Sequence, residues 1–591
     1  MKITPTSLNV QQLLGTVNEQ YVIPAYQRRY SWSERQIWEL IDDIKLTEGN
    51  DTHLLGSIVC LTGPHNAGIN ELELVDGQQR LTTISIVMEC LGQYFRSSDN
   101  SESASDAERL TKCKTHNGNV QQKIRLDSVD QLDFKALLNG NSSLHTIQNS
   151  RLETAFNLVK GWIADEEPES LSKFLYNLMY QAIIIRLDVN DAKDAFKLFE
   201  TINNRGLRLS HTDIIKNFVL GNAARFGNES LNSARQAWTN LISYLDGADT
   251  DSFFRHFLIA RLGSRVTASY VISNFKKYFM TEVEEASELP ERHLYADSDD
   301  SEEDEEQEVD TEEDATVSAS NKISFENFLE LITSSSRIYG QLVKADTDDA
   351  AVNRSLRNLR MIKAHQTYGF IMHLMIEKCS DKDLREILRL TESFILRRHI
   401  CKERSNETDA LFARLCGLDM SDPVGEVKKA YRELCPDDES FKKDFSQFRF
   451  TGGLIDRARY CLEMIELKKH GEHQEIQIIG SDSVHVEHII PQKIKTRKAR
   501  EEFGDWVEYL GENSEARHPK YIPRIGNLTL FAGALNIGAS NNPFHKKRKA
   551  YKESSIMLTR ELCDLSSFSF RTVDKRSDNL ASAACSIWPI P

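Results

Sequence analysis

Val484-His485-Val486-Glu487-His488-Ile489-Ile490-Pro491-Gln492 is the stretch from which the rest of the chain can be read. Val484 and Val486 alternate with His485 and Glu487, the period-two pattern of a half-buried strand. Pro491 cannot donate to a ladder, so the strand ends at His488, where it opens into a loop. Further on, Gly526 marks a turn, Leu528 and Leu530 give a second alternating strand, and Asn536 falls in the first turn of a helix. Two strands and a helix then converge on Glu487, His488, Asn527 and Asn536. A lone histidine on an apolar strand is usually structural. Glutamate beside it, proline three residues later and two asparagines at a turn and a helix start turn the balance toward a site. His485 shares the polar side with Glu487, where it either orients a metal shell or faces water.

These residue types suit phosphodiester hydrolysis. A carboxylate and an amide oxygen are hard ligands for Mg²⁺ or Mn²⁺, and a neutral imidazole takes a proton from water near pH 7. The run Glu487-His-Ile-Ile-Pro-Gln492, then Gly526-Asn-Leu-Thr-Leu530, then Asn536 and basic Lys546-Lys547 resembles the GmrD-type branch of the HNH (His-Me finger) nucleases over roughly residues 430 to 575. The resemblance implies a ββα-metal fold with His488 as general base and Glu487 and Asn536 at the metal. It also implies that Asn527 fixes the loop beside the histidine.

At 591 residues the chain has room for two to four domains. Its 40% hydrophobic and 27% charged content is that of a folded soluble protein. No apolar run approaches the eighteen or so residues that span a bilayer, and Met1-Lys2-Ile3-Thr4 opens no apolar signal core, so no membrane role and a cytoplasmic location are expected. The ten cysteines form no Cys-x-x-Cys pair, which argues for reduced thiols. The net charge of −16 includes 13 acids between Asp297 and Asp314, and without them the rest carries only −3. Local basic clusters then remain able to bind phosphates, because attraction acts within a Debye length of about 8 to 10 Å. Lys493, Lys495, Arg497, Lys498 and Arg500 form one such cluster, and Lys546, Lys547, Arg548 and Lys549 another. As DNA contacts we take Lys493, Lys495, Lys546 and Lys547.

The amino-terminal part carries a second candidate site. Tyr21 to Lys45 reads as a strand, a turn and an amphipathic helix capped by Ser33, with Ile37, Leu40, Ile41 and Ile44 on its apolar face. The extended Tyr26 to Trp32 segment presents Gln27, Arg28 and Arg29 among aromatic rings, a mixture suited to a phosphate and a stacked base. Leu72 to Val75 is a strand, Asp76-Gly77 a tight turn, and Gln78-Gln79-Arg80 opens a helix. Free backbone N–H groups at that helix start and a fixed Arg80 make a phosphate site, with Asp76 able to hold an accompanying metal. No P-loop motif occurs.

Later, Gln181 to Leu187 is an apolar strand, and the helix after it stops at Asn204-Arg205-Gly206. Ser210 to Asp213 then form a capping box for the next helix. Glu200 and Asn203 share a face of the first helix, as Asp213 and Lys216 do on the second. Tyr26-Gln-Arg-Arg-Tyr-x-Trp32, Asp76-Gly-Gln-Gln-Arg-Leu-Thr-Thr83 and Phe199-Glu-Thr-Ile-Asn-Asn-Arg-Gly-Leu-x-Leu-Ser210 continuing to Asn217 together resemble the GmrS-type domain. That domain is related to the ParB and sulfiredoxin-like fold and is associated with nucleotide binding and hydrolysis, the base being left open.

The expected architecture is multidomain α+β. Residues 1–225 form the GmrS-like nucleotide-binding domain, with a partly helical insertion at about 97–169. Residues 226–430 form a helical connector with a disordered acidic segment at 296–320. Residues 431–591 form the GmrD-like nuclease domain. Within the connector, Phe325 to Val343, Leu356 to Glu377 and Leu384 to His399 show uninterrupted helical spacing, and Arg397 and Arg398 end the last with charge that suits a helix terminus or a phosphate. Three readings follow. The first is a nucleotide-regulated, metal-dependent endonuclease acting on modified phage DNA in type IV defence, with DNA and a nucleoside triphosphate as partners. The second is a phosphorothioate- or BREX-linked modification sensor with NTPase and nicking activity. The third is a nucleotide-dependent DNA-binding module whose carboxy-terminal domain is not catalytic. The pattern leaves a homo-oligomer open.

Overall fold

The computed structural model describes residues 3–47, 51–66, 68–127, 130–139, 145–203, 210–288, 322–470, 484–494, 506–532 and 542–591. The chain is mixed α+β and mostly helical, and it divides into two compact units, residues 1–254 with 268–337 and residues 255–267 with 338–591. The acidic segment at 296–320 lies outside the described residues.

The first unit is built on one six-stranded sheet. Its strands are β1 (Ile3–Asn9), β2 (Glu19–Ile23), β3 (His53–Asn66), β4 (Ile69–Asp76), β7 (Ile124–Leu126) and β8 (Ala182–Val189), in the order β1-β8-β3-β4-β2-β7. A separate hairpin pairs β5 (Lys112–Lys114) with β6 (Val120–Gln122). β3 and β4 are antiparallel, whereas β2 runs parallel to both β4 and β7. On one face, helix α1 (Glu34–Lys45) and helix α2 (Gln78–Ser97) bury Ile37, Ile41, Leu81 and Ile84 against Tyr21, Ile58, Leu72 and Leu74. Ser33 and Gln36 close a capping box at the start of α1. The stretch at 97–169 is largely helical, and it also supplies the edge strand β7 and helix α3 (Ser150–Asp165), which packs on α2. Helix α4 (Ala192–Asn203) covers β3, β4 and β8, and helix α5 (His211–Phe226) follows it.

Gly77 is where this layout is most tightly constrained. It sits at φ +90° between β4 and α2, and an added Cβ would lie 2.4 Å from Ile58 Cγ2. Left-handed backbone disfavours any larger residue, and the packed Ile58 side chain has no room to yield. Gly77→Ala is therefore expected to destabilise this unit by roughly 2–4 kcal/mol, from backbone strain plus overpacking. A thermal melt of the full chain checks it.

Among the described residues the second unit is helical apart from one antiparallel pair. Where helical spacing runs on without a break in the sequence, helix α6 (Ala350–Met361) stops and helix α7 (Tyr368–Ile376) begins a short 3-10 turn later. The break comes from Lys363, which adopts φ +59° and lets the Ala364 N–H return to the Leu359 carbonyl. Periodicity cannot register a left-handed lysine. Helix α8 (Asp381–Cys401) lies in the core, and its Glu392 is buried with hydrogen bonds from Asn358 and Tyr460. Arg397 and Arg398, whose charge suited a phosphate, are buried on backbone carbonyls instead. Arg397 donates to Trp588 and Pro436, and Arg398 to Leu434 and Arg404. All ten cysteines carry free thiols. Among the described residues no helix is long and apolar enough to cross a membrane.

Candidate functional site

In the second unit, strand β9 (Val484–His488) pairs antiparallel with strand β10 (Leu528–Ala532), placing Leu528 opposite His488 and Thr529 opposite Glu487. His488 therefore ends its strand as the alternation implied. The polar side of β9 is not a solvent face, however. His485 is exposed, but Glu487 is only 8% exposed, because helix α9 (Phe544–Lys552) brings Lys547 over it. The Lys547 ammonium lies 2.5 Å from Glu487 Oε1 and donates to the His488 carbonyl at 2.8 Å. Alternation reports the faces of a strand and not what a helix sixty residues on will cover.

Asn527 fastens the loop that leaves His488. Its side-chain oxygen accepts from the Ile490 N–H at 2.8 Å, its amide donates to the Ile490 and Ile522 carbonyls, and its own carbonyl accepts from the Ile489 N–H. His518 adds a contact to the Pro491 carbonyl at 2.8 Å. From behind, helix α10 (Phe570–Ile587) grips the turn that carries Asn527. Arg576 donates to the Ile525, Gly526 and Leu528 carbonyls, and the Ser577 hydroxyl accepts from the Gly526 N–H. Gly526 has no alternative there, since a Cβ would meet the Val573 carbonyl oxygen at 2.2 Å. His518, Arg576 and Ser577 escaped the sequence reading. Each acts on backbone far away in sequence, and no local pattern announces such a contact.

Burial, with the nearby Lys547 charge, lowers the His488 imidazole to about 4. The ring is therefore neutral at pH 7 and able to accept a proton. The Gln492 amide lies 3.3 Å from its Nε2. Burial pushes Glu487 up and Lys547 down, and each partner opposes the push on the other. Of the basic residues expected at DNA, Lys493 and Lys546 are exposed, and Lys547 is fully buried. Lys495 and Asn536 lie outside the described residues. Among the described residues no group of three or more His, Cys, Asp or Glu could hold a metal ion.

The first unit assembles a different cluster at the end of β4 and the start of α2. Lys216, on α5, is buried against Gln27 and lies 3.5 Å from Asp213 Oδ1, while Arg28 reaches the other Asp213 oxygen at 3.7 Å. Gln27 is only 2% exposed. Its amide donates to the Leu74 and Val75 carbonyls, which turns its oxygen toward Lys216. Burial alone would raise the Asp213 carboxyl, but Lys216 and Arg28 outweigh it and hold the group below the usual range. Burial raises Asp76 against the pull of the Gly77 N–H, Arg80 and Lys216, and it lowers Arg80 and Lys216. Arg80 donates to the Ser57 carbonyl at 2.9 Å. Gln78 is buried with its side-chain oxygen unpartnered.

Two parts of the expected set face elsewhere. Arg29 is held by Asp130 and Asp246, each at 2.8 Å, and Gln79 ties the Ser31 N–H and the Arg29 carbonyl. Two of the three aromatic rings of this segment are not offered for stacking either. Tyr26 and Tyr30 are buried, with hydroxyls on Glu73 and Thr83. The side chains of Glu200 and Asn203, and the whole of Arg205, lie outside the described residues.

One unit thus carries a Gly-turn cluster beside its six-stranded sheet, and the other a strand-end histidine whose loop an asparagine holds. Residues 10–220 match the family model for the GmrSD restriction endonuclease, N-terminal domain, and residues 435–583 match that for GmrSD restriction endonucleases, C-terminal domain. The chain belongs to the GmrSD restriction endonuclease family, and these domains make it a DNA endonuclease of the type IV restriction kind, a defence function. No curated protein matches the chain.

Proposed function

We propose that this chain cuts modified DNA, phage DNA in particular, under the control of a nucleoside triphosphate bound by its amino-terminal unit. The observation that carries the nuclease part is His488, neutral at pH 7, at a strand end whose following loop is held by Asn527. In this reading the carboxy-terminal unit is an HNH-like, ββα-metal domain and the amino-terminal unit a ParB/sulfiredoxin-like domain. His488 takes the proton from the attacking water, and Lys493 and Lys546 meet the DNA backbone.

Mg²⁺ or Mn²⁺ is the proposed cofactor, with Glu487 and Asn536 as its residues. Glu487 is the one of these within the described residues, and its charge is balanced by Lys547. The described residues thus do not by themselves make a metal site, and the metal requirement stands on the chemistry of phosphodiester hydrolysis.

For the nucleotide, support comes from the convergence of Asp76, Gly77, Arg80, Asp213 and Lys216 where a strand turns into a helix. Arg28 and Gln78 border it, while Gln27 acts through Lys216. Arg80→Ala and Asp76→Ala are expected to weaken nucleotide binding at least about ten-fold, the loss of one charge-assisted contact, as measured by titration with each of the four nucleotides. Unchanged binding in both variants would sink the site.

The whole reading is tested by digesting unmodified, methylated, glucosylated and phosphorothioated DNA with the full chain, with and without each nucleotide, in MgCl₂, MnCl₂ or EDTA. Cutting of a modified substrate alone, dependent on nucleotide and blocked by EDTA, is the expected result. Nucleotide-independent cutting of all four DNAs overturns the regulation, and binding without cutting favours the non-catalytic module.

A further inference from the structure

Lys547 is misplaced for a residue that meets DNA. Its side chain is 1% exposed, and its ammonium is spent on Glu487 and on the backbone of His488. Stability does not explain such a choice, because apolar residues of similar volume commonly serve a core as well as a buried ion pair does. The contact to the backbone is the informative one. The peptide plane after His488 offers a carbonyl at one end and the Ile489 N–H at the other. Lys547 holds the carbonyl at 2.8 Å, and the Asn527 carbonyl holds the N–H at 2.9 Å. Rotation of that plane breaks both bonds, so the direction in which the His488 side chain leaves the backbone is fixed from two sides. Glu487 in turn anchors the ammonium, since a lysine stem of four carbons would otherwise sample many rotamers.

We propose that Lys547 is a positioning residue of the nuclease site, pinning the His488 peptide through an ammonium that Glu487 anchors. This rests on the reading of His488 as the base. It gives Glu487 a second task beside the metal role proposed above, and it removes Lys547 from the DNA contacts. Correct placement of a catalytic group within fractions of an ångström governs turnover and not substrate affinity.

The test uses the full chain with Lys547→Met, which keeps the stem and loses every donor, and Lys547→Gln, whose amide can still donate. Thermal melts, hydrogen exchange of the 484–492 peptide, and kcat and KM for cutting glucosylated phage DNA in MnCl₂ with the four nucleoside triphosphates present are compared. In Lys547→Met we expect a cooperative melt at a lower temperature, because Glu487 is left without its cation, together with exchange at Ile489 and Ile490 faster than in the rest of the unit, kcat lower by about 100-fold and KM within about three-fold, the signature of lost positioning. Lys547→Gln is expected to recover part of both kcat and exchange protection. The proposal is overturned by unchanged exchange in a folded Lys547→Met, by a rise in KM with kcat intact, or by loss of the melting transition in both variants. The exchange comparison does not depend on cutting. His488→Ala is run alongside: if it cuts like the parent protein, the reading of His488 fails, whereas an inactive His488→Ala beside a fully active Lys547→Met removes only the role given to Lys547.

Discussion

His488→Ala is expected to lower the rate of DNA cutting by about 10²- to 10⁴-fold, the range a positioned general base contributes. DNA binding should change little if, as proposed, exposed Lys493 and Lys546 and not the imidazole meet the phosphates. Stability should be nearly unaffected near neutral pH, since the ring is neutral there. The pH dependence follows from the same environment. Burial and Lys547 lower His488 to about 4, so the base is competent from about that pH upward. Cutting should hold between pH 6 and 8 on the basic side of this group and fall as the pH approaches 4. The linked stability has the opposite origin. An imidazole of ordinary pKa, about 6.5, binds protons in the unfolded chain before it does in the folded one, so this group costs stability progressively as pH falls below about 6.5 and no further below about 4. A rate profile centred near pH 6.5 would show that the ring is more open to water than its surroundings in the fold allow. Cutting unchanged in His488→Ala would dismiss it as the base.

Lys216→Met carries the second large effect. The residue is 2% exposed and faces Asp213, itself 5% exposed. Removing one partner of a buried pair leaves the other charge uncompensated, and the expected cost is roughly 3–5 kcal/mol. Arg28, at 3.7 Å from Asp213, softens it by the share of the charge it still balances. The double variant Lys216→Met with Asp213→Asn should recover most of this stability, since no buried charge then stands alone. Thermal melts of the single and double variants measure the coupling. Nucleotide binding separates structure from site: if Lys216 only balances Asp213, the double variant binds nucleotide like the parent protein, and if it meets a phosphate, binding stays lost although the fold is restored. A single variant as stable as the parent would mean that Lys216 is not buried as a cation.

Local chemistry was legible wherever one segment decides it. The strand ending at His488, the Asp76-Gly77 turn into a helix, the Ser33 and Ser210 caps and the apolar face of α1 all follow from spacing and turn residues within a dozen positions. The break at Lys363 did not follow, because a left-handed terminator there is selected by the core around Leu359 and not by the residue type. The same holds for Arg397 and Arg398, whose charges read as solvent or phosphate partners until the chain wraps carbonyls from residues 434, 436 and 588 around them.

In the candidate sites the division runs between side chains and their partners. The sequence by itself determined where on a strand or helix each candidate residue stands: His488 at a strand end, Asn527 at a turn, Asp76 and Arg80 about a glycine, Asp213 and Lys216 one helical step apart. Only the tertiary structure decided which of them are free. It spends Lys547 on Glu487 and the His488 carbonyl, Arg29 on Asp130 and Asp246, and Gln27 on β4 and Lys216. The physical reason is that periodicity encodes the direction of a side chain relative to its own backbone, whereas burial of a charge obliges a partner that any distant segment can supply.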